Sequence, residues 1–273
     1  MHQIWDDLYS RLGDLDELQI VTAPPYLWHA RYIAWTQRWA FDRAMQRIGG
    51  VAGKRVLDIG CGAGRWSRRL RDLGATVTAV DYSKEAIARA RERIPRVDFV
   101  VADLVNDDLG SGRYDVVLSA TVLALLAPEE QDVAVASVDR AVVRDGWLVA
   151  MEDMTDNRRM PGVRTLMSWR RLFESHGFRA RMIRGFRYDL PIRAPLLPMS
   201  LLRATGRTPG PLPASVADPG PSRQPSRPPR ARERRFEVLF HPRVLLSYAL
   251  EPACRATLPD RLATHGLFVL RHR

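Results

Sequence analysis

The sequence predicts a doubly wound α/β fold with a mostly parallel, seven-stranded sheet. From Arg55 onward, short apolar runs alternate with helical segments, at the pace of repeated strand–helix–strand units with right-handed crossovers. These runs are near-continuous rather than alternating, as in strands covered by helices on both faces. The first run ends in Gly60, Gly62 and Gly64 and opens directly into a helical stretch. Such a strand–loop–helix is a ligand cradle, because glycines turn tightly and a helix N-terminus favours a negative group.

Residues 1–50 read as an N-terminal helical cap ahead of one domain over 51–273. Ile4, Leu8 and Leu12 fall at helical spacing before Gly13-Asp14 interrupts, and Pro24-Pro25 marks a turn before a second helix, roughly Trp28 to Ile48. Around this helix lie Tyr26, Trp28, Tyr32, Trp35, Trp39 and Phe41. They read either as packing on the body of the domain or as a lid lining a substrate pocket. Arg31 and Arg38 would meet an anionic group in the second case and water in the first.

Strands are expected at Val56–Ile59, Thr76–Val80, Val97–Val101, Tyr114–Ser119 and Trp147–Met151. Helices at Arg65–Leu73, Lys84–Arg93 and Pro128–Val143 connect them, the last ended by Asp145-Gly146. Val163–His176 reads as a helix closed by Gly177, with His176 as a surface cap, and Phe178–Phe186 as the sixth strand. From about 205 to 232 the chain is dominated by Pro, Gly, Ser and Arg. That composition cannot bury enough surface to offset its ordering entropy, so a disordered insertion is expected before the last strand. Phe236–Leu258 reads as largely helical with a break at Pro252, and Gly266–Arg271 as the seventh strand.

The formal charge of +11 raises the question of a nucleic-acid or membrane partner. Arg203–Arg235 holds eight arginines against Asp218 and Glu233, a net of +6, so over half of the excess sits in one tail-like stretch. A nucleic-acid substrate is therefore not the expectation. Cys61 and Cys254 are the only cysteines, which excludes a disulfide framework or a cysteine zinc site. No charged-then-apolar leader is visible and no apolar run is long enough for a membrane span, so a soluble cytoplasmic protein is expected.

A dinucleotide fingerprint would need its third glycine at position 65, where Arg65 stands. Instead the glycines alternate, and Asp58 precedes the first by two residues. The run Val56-Leu57-Asp58-Ile59-Gly60-Cys61-Gly62-Ala63-Gly64 closely resembles the first motif of class I S-adenosylmethionine-dependent methyltransferases. Ala79 to Ser83 resembles the second motif, and implies that Asp81 accepts from the ribose hydroxyls with Tyr82 beside it. A carboxylate is a pure acceptor that can take both protons. Val101 to Leu104 resembles the third motif, implying that Asp103 accepts from the adenine amino group, with Leu104 beside it. Tyr114 to Ser119 resembles the fourth strand, whose end at Ser119 borders the reactive methyl, and Trp147 to Met154 resembles the fifth. The resemblance covers roughly residues 50–155 and continues weakly over Arg164–Phe178. The implied cofactor is S-adenosyl-L-methionine. One departure is Leu125, which stands where small-molecule members often carry a histidine.

A sulfonium-bound methyl is already activated, so positioning supplies much of the acceleration and a base is needed only for a poor nucleophile. Glu152 and Asp153, just past the fifth strand, are the candidate bases, since sheet topology places ligands there. Both also read as solvated or helix-capping carboxylates. Together with Asp156 and Asn157 they form a polar cluster of a common kind, and no metal is expected. His29, His241 and His265 have no distinguishing context. The acceptor expected is a small molecule, methylated on oxygen or nitrogen, such as a natural product or a sugar-containing metabolite. The alternatives are a nucleic-acid methyltransferase and a non-catalytic protein that binds the same cofactor.

Overall fold

The computed structural model describes residues 27–154, 162–188 and 231–273, with the side chains of 27–30 and 231–243 left aside. The expected first helix and most of the expected insertion lie outside these residues. Helix α1 (Leu27–Arg47) leads into β1 (Arg55–Ile59), α2 (Arg65–Asp72), β2 (Thr76–Asp81), α3 (Lys84–Arg93), β3 (Asp98–Val101) and β4 (Tyr114–Ala120). A 3-10 turn (Leu123–Leu125), α4 (Pro128–Ala141), β5 (Val142–Asp153), α5 (Leu166–Ser175), β6 (Phe178–Arg187), α6 (Ala231–Thr257) and β7 (His265–His272) complete the order. The strands form one seven-stranded sheet in the order β3-β2-β1-β4-β5-β7-β6. β7 runs antiparallel to both of its neighbours, and the other described pairings are parallel. The expected doubly wound, mostly parallel sheet is the observed one.

Both faces of the sheet are buried, which explains the unbroken apolar strands. On one face Leu57, Val117, Leu148, Ala150, Phe268 and Leu270 pack with Val135 and Val138 of α4 and Trp169 and Phe173 of α5. On the other, Val56, Val116, Leu118, Val149, Met151, Leu267 and Val269 pack with Phe41 and Ala44 of α1, Leu70 of α2 and Ile87 of α3. Phe41 stacks on Trp66 at 4.8 Å between centroids, which seats α1 on α2.

Two local expectations need correction. β5 begins at Val142 rather than Trp147, and Asp145-Gly146 is an irregularity inside the strand rather than the end of a helix. Tyr114 pairs with Val142 and Val116 with Trp147, so the intervening residues loop out, with Asp145 in the left-handed region at φ 63°. The carbonyls of Arg140 and Ala141 meanwhile accept the N–H groups of Gly112 and Arg113, which ends α4 early. Second, α6 runs unbroken through Pro252. Glu251 and Arg255, on either side of that proline, are bonded into the protein, and this tertiary seat outweighs the local cost of a mid-helix proline. His176 ends α5, and its ring lies 2.9 Å from Asp132, consistent with the capping role expected.

Candidate functional site

The glycine loop is held at three levels. Gly60, Gly62 and Gly64 all have positive φ, at 60°, 54° and 84°. A Cβ on Gly60 would overlap the Val122 side chain, and one on Gly64 would meet Ile94 and Phe99. Glycine is required here by conformation and by space alike. Beneath the loop, Asp58 is buried and accepts the Ser67 hydroxyl at 2.6 Å, tying β1 to α2. Burial pushes its carboxyl up to about 7, against the opposing effect of that bond. Beside the loop, Asp81 accepts the Gly62 N–H at 2.8 Å and the Ser83 N–H at 2.9 Å, one on each oxygen. A carboxylate oxygen can accept more than one hydrogen bond, so the clamp on the loop is compatible with a ribose diol.

Farther out, Tyr82 is half-buried and Leu104 buried. Asp103 sits past the end of β3, where its carboxylate accepts the Val105 N–H at 2.9 Å and the Asn106 amide at 2.8 Å. It organises its own turn through these two bonds.

Beyond β4 the geometry becomes specific to this chain. Thr121 has φ 59°, an uncommon conformation for a β-branched residue, and its N–H donates to Met151 O at 2.7 Å. Strain of this kind clusters at functional edges, and nothing in the local sequence announces it. The 3-10 turn that follows is held from below by Glu152. That residue is fully buried and accepts Ser119 Oγ–H at 2.6 Å and Ala124 N–H at 3.2 Å. Burial pushes the Glu152 carboxyl up to about 7, partly offset by the bonds from Ser119 and the turn backbone. Gln131 holds the same turn through Leu123 O at 2.8 Å. Glu152 is thus neither solvated nor a helix cap: it is an anchor for the segment beside the glycine loop.

Asp153 points to the opposite face of the sheet, in register with His265 at the start of β7 and, through it, Arg187 of β6. The His265 Nε2 lies 4.0 Å from Asp153 Oδ2, its ring packs edge-on against Phe186, and it is only 3% exposed. Sequence reasoning missed His265, because only strand register brings it to Asp153. Of the polar cluster proposed around position 155, Asp156 and Asn157 lie outside the described residues. Among the described residues no group of three or more His, Cys, Asp or Glu side chains is arranged to hold a metal.

Helix α1 reaches from the glycine loop to α6. Arg65, the first residue after the glycine loop, donates to Gln37 Oε1 at 3.0 Å and Ala34 O at 3.5 Å. At the far edge Tyr32 donates to Glu251 Oε2 of α6 at 2.5 Å. Trp35 and Trp39 lie against the Arg255 guanidinium at 4.9 and 4.4 Å. Tyr32 and Phe41 are buried in the body, and Trp35, 37% exposed, packs on Tyr32 and Tyr248; Tyr26 and the side chain of Trp28 lie outside the described residues.

Residues 56–146 match the family model described as "Methyltransferase domain". The malonyl-[acyl-carrier protein] O-methyltransferase of Enterobacter lignolyticus (strain SCF1) is 39% identical over 97 residues, 36% of this chain and 37% of that protein. The ubiquinone biosynthesis O-methyltransferase of Pseudomonas aeruginosa (strain LESB58) is 32% identical over 125 residues, 44% of this chain and 50% of that protein. These matches span half or less of the relatives' own length. A crystal structure of an S-adenosylmethionine-dependent methyltransferase from Mesorhizobium loti is 16% identical with TM-score 0.53, covering 85% of this chain and 97% of that one, and so shares the fold. Residues 56–146 thus match a methyltransferase domain, and the chain shares its fold with the Mesorhizobium loti methyltransferase. The space that only glycine allows at position 60 and the carboxylate of Asp81 beside it fit S-adenosyl-L-methionine, the cofactor that the motifs imply.

Proposed function

We propose that this protein transfers a methyl group to an oxygen or nitrogen of a small molecule, such as a natural product or a sugar-containing metabolite. The observation that carries the reading is the clamp between Asp81 and Gly62, which holds an acceptor carboxylate and a glycine cradle in one fixed arrangement. The relatives whose names specify O-methylation favour oxygen as the acceptor atom.

When bound, the cofactor supplies a methyl already activated by its sulfonium charge. The residues of this chain do the rest. Gly60, Gly62 and Gly64 would hold the methionine end, Asp81 and Tyr82 the ribose, and Asp103 and Leu104 the adenine. Ser119, fixed by Glu152, shapes the wall beside the methyl. A hydroxyl acceptor must release its proton as the new bond forms. Asp153 with His265 is the pair that takes it, while Glu152 acts by positioning. Helix α1 excludes water above the site through its seat on Arg65 and Glu251.

The test is calorimetric binding of S-adenosylmethionine to the full chain, followed by screening of small-molecule extracts with methyl-labelled cofactor. Saturable binding and label in an organic product are expected. Binding without any labelled product would favour a non-catalytic role. Label transferred instead to polynucleotide, with steeply salt-dependent binding, would favour the nucleic-acid reading.

A further inference from the structure

Thr264, just ahead of β7, gathers three polar groups around one hydroxyl. Its Oγ1 lies 2.9 Å from Arg187 O, 3.2 Å from Arg187 Nε and 3.4 Å from His265 Nδ1. The residue is 1% exposed and its backbone is pinned on both sides. Its N–H donates to Arg187 O at 2.5 Å, and its carbonyl accepts the Met154 N–H at 2.7 Å.

These contacts decide where the hydrogens lie. A threonine hydroxyl has one hydrogen to give and a backbone carbonyl only accepts, so that hydrogen goes to Arg187 O. The hydroxyl oxygen is left to act as an acceptor. Arg187 Nε can only donate to it, and His265 Nδ1 must then donate as well, which requires a hydrogen on Nδ1. In a neutral imidazole the lone pair then belongs to the other nitrogen. That nitrogen, Nε2, is the one turned toward Asp153, with Oδ2 at 4.0 Å.

The carboxylate acting alone would draw the ring hydrogen to Nε2, and Thr264 opposes it. A separation of 4.0 Å is beyond direct hydrogen-bond range, so Asp153 does not claim that position. Approach is from the carboxylate side, since the Asp153 side chain is 19% exposed and that of His265 only 4%.

We infer that Thr264 holds His265 in the Nδ1–H tautomer, so that Nε2 takes the proton of the acceptor's hydroxyl and Asp153 stabilises the imidazolium that results. The acceptor oxygen gains the methyl and loses its hydrogen to Nε2, while the electron pair of the broken S–CH3 bond stays on sulfur. His265 is thus the base and Asp153 its counter-charge, and Thr264 and Arg187 are positioning residues that act through the ring. The role of Nε2 rests on the reading of this protein as a methyltransferase for hydroxyl acceptors; the tautomer does not. If Asp153 were the base and the ring only oriented it, Nε2 would carry the hydrogen.

Long-range proton–nitrogen correlation spectra of the full chain with nitrogen-labelled histidine read the tautomer directly. The His265 ring is assigned by its loss in His265→Gln. At about pH 9, well above the ordinary histidine value of about 6.5, the wild-type ring is expected to carry hydrogen on Nδ1 and not on Nε2. Thr264→Val, which removes the hydroxyl, should move the hydrogen to Nε2, and Thr264→Ser should keep the wild-type pattern. With a hydroxyl acceptor from the labelled screen, Thr264→Val should lower kcat by about 10²-fold with little change in KM, and Thr264→Ser should recover most of it. Circular dichroism checks that each variant is folded, and the wild-type spectrum decides even where Thr264→Val is not. A wild-type ring with hydrogen on Nε2, neutral or charged, overturns the inference. A folded Thr264→Val chain with the wild-type tautomer overturns the part given to Thr264. The spectra need neither cofactor nor acceptor, so a failure of the methyl-transfer reading would show separately, as the absence of labelled product.

Discussion

Ser119 donates its hydroxyl to Glu152 across 2.6 Å, and this bond joins the ends of β4 and β5 beneath the turn that faces the glycine loop. Through Ala124 the same carboxylate holds the 3-10 turn, and Val122 just ahead of that turn limits Gly60 to a residue without a side chain. A buried acid two strands from the cradle thereby shapes it.

That acid also gives the fold a pH signature. Glu152 and Asp58 hold their protons up to about 7 in the folded chain, whereas in the unfolded chain they release them near pH 4. Between about pH 4 and 7 the folded state therefore binds more protons, so this contribution is full below the lower limit and is lost as pH rises toward the upper. Glu152→Gln should make stability less pH-dependent, by up to about 1.4 kcal/mol per pH unit in that window. Urea unfolding at several pH values measures it, and an unchanged slope would place the titration elsewhere.

Gly60→Ala faces two separate obstacles, its φ of 60° and the Val122 side chain. The left-handed conformation costs about 1–2 kcal/mol and the overlap about 1–3 more. Adding Val122→Ala should recover the second part and not the first. Thermal melts and cofactor calorimetry on both variants separate the two. Full recovery in the double variant would mean that the backbone conformation is not limiting.

Asp81→Ala should weaken cofactor binding by about 1.5–3 kcal/mol, the range for hydrogen bonds to a charged group. Because Asp81 also accepts the Gly62 and Ser83 N–H groups, some thermal stability should be lost in the absence of cofactor. Unchanged affinity by calorimetry would sink the ribose assignment.

Asp153→Asn and His265→Gln should each reduce transfer to a hydroxyl acceptor by about 10²–10⁴-fold, the usual scale of general-base catalysis. Cofactor affinity should stay as in wild type. Initial rates with an acceptor from the labelled screen, set beside calorimetry, decide the matter. Equal losses in rate and in cofactor binding would indicate a structural role for the pair.

Much of the framework was legible in the sequence because it is encoded locally. Strands buried on both faces read as apolar runs, and Gly60, Gly62 and Gly64 mark positions of positive φ. The irregularity at Asp145 was misread as a helix end, since a left-handed Asp-Gly pair serves either purpose. Pro252 was misread as a break because propensity takes no account of the seat that Glu251 and Arg255 provide.

The sequence by itself determined the fold class, the cradle and the acidic residues at the ends of the first three strands, each of which depends on residues close together in the chain. Only the tertiary structure decided that Glu152 is an anchor, that Asp153 meets His265 from 112 positions away, and that α6 turns its leucines outward. Sheet register sets the first two, and bonds from Glu251 and Arg255 to distant elements set the third. Local periodicity carries no information about any of these pairings.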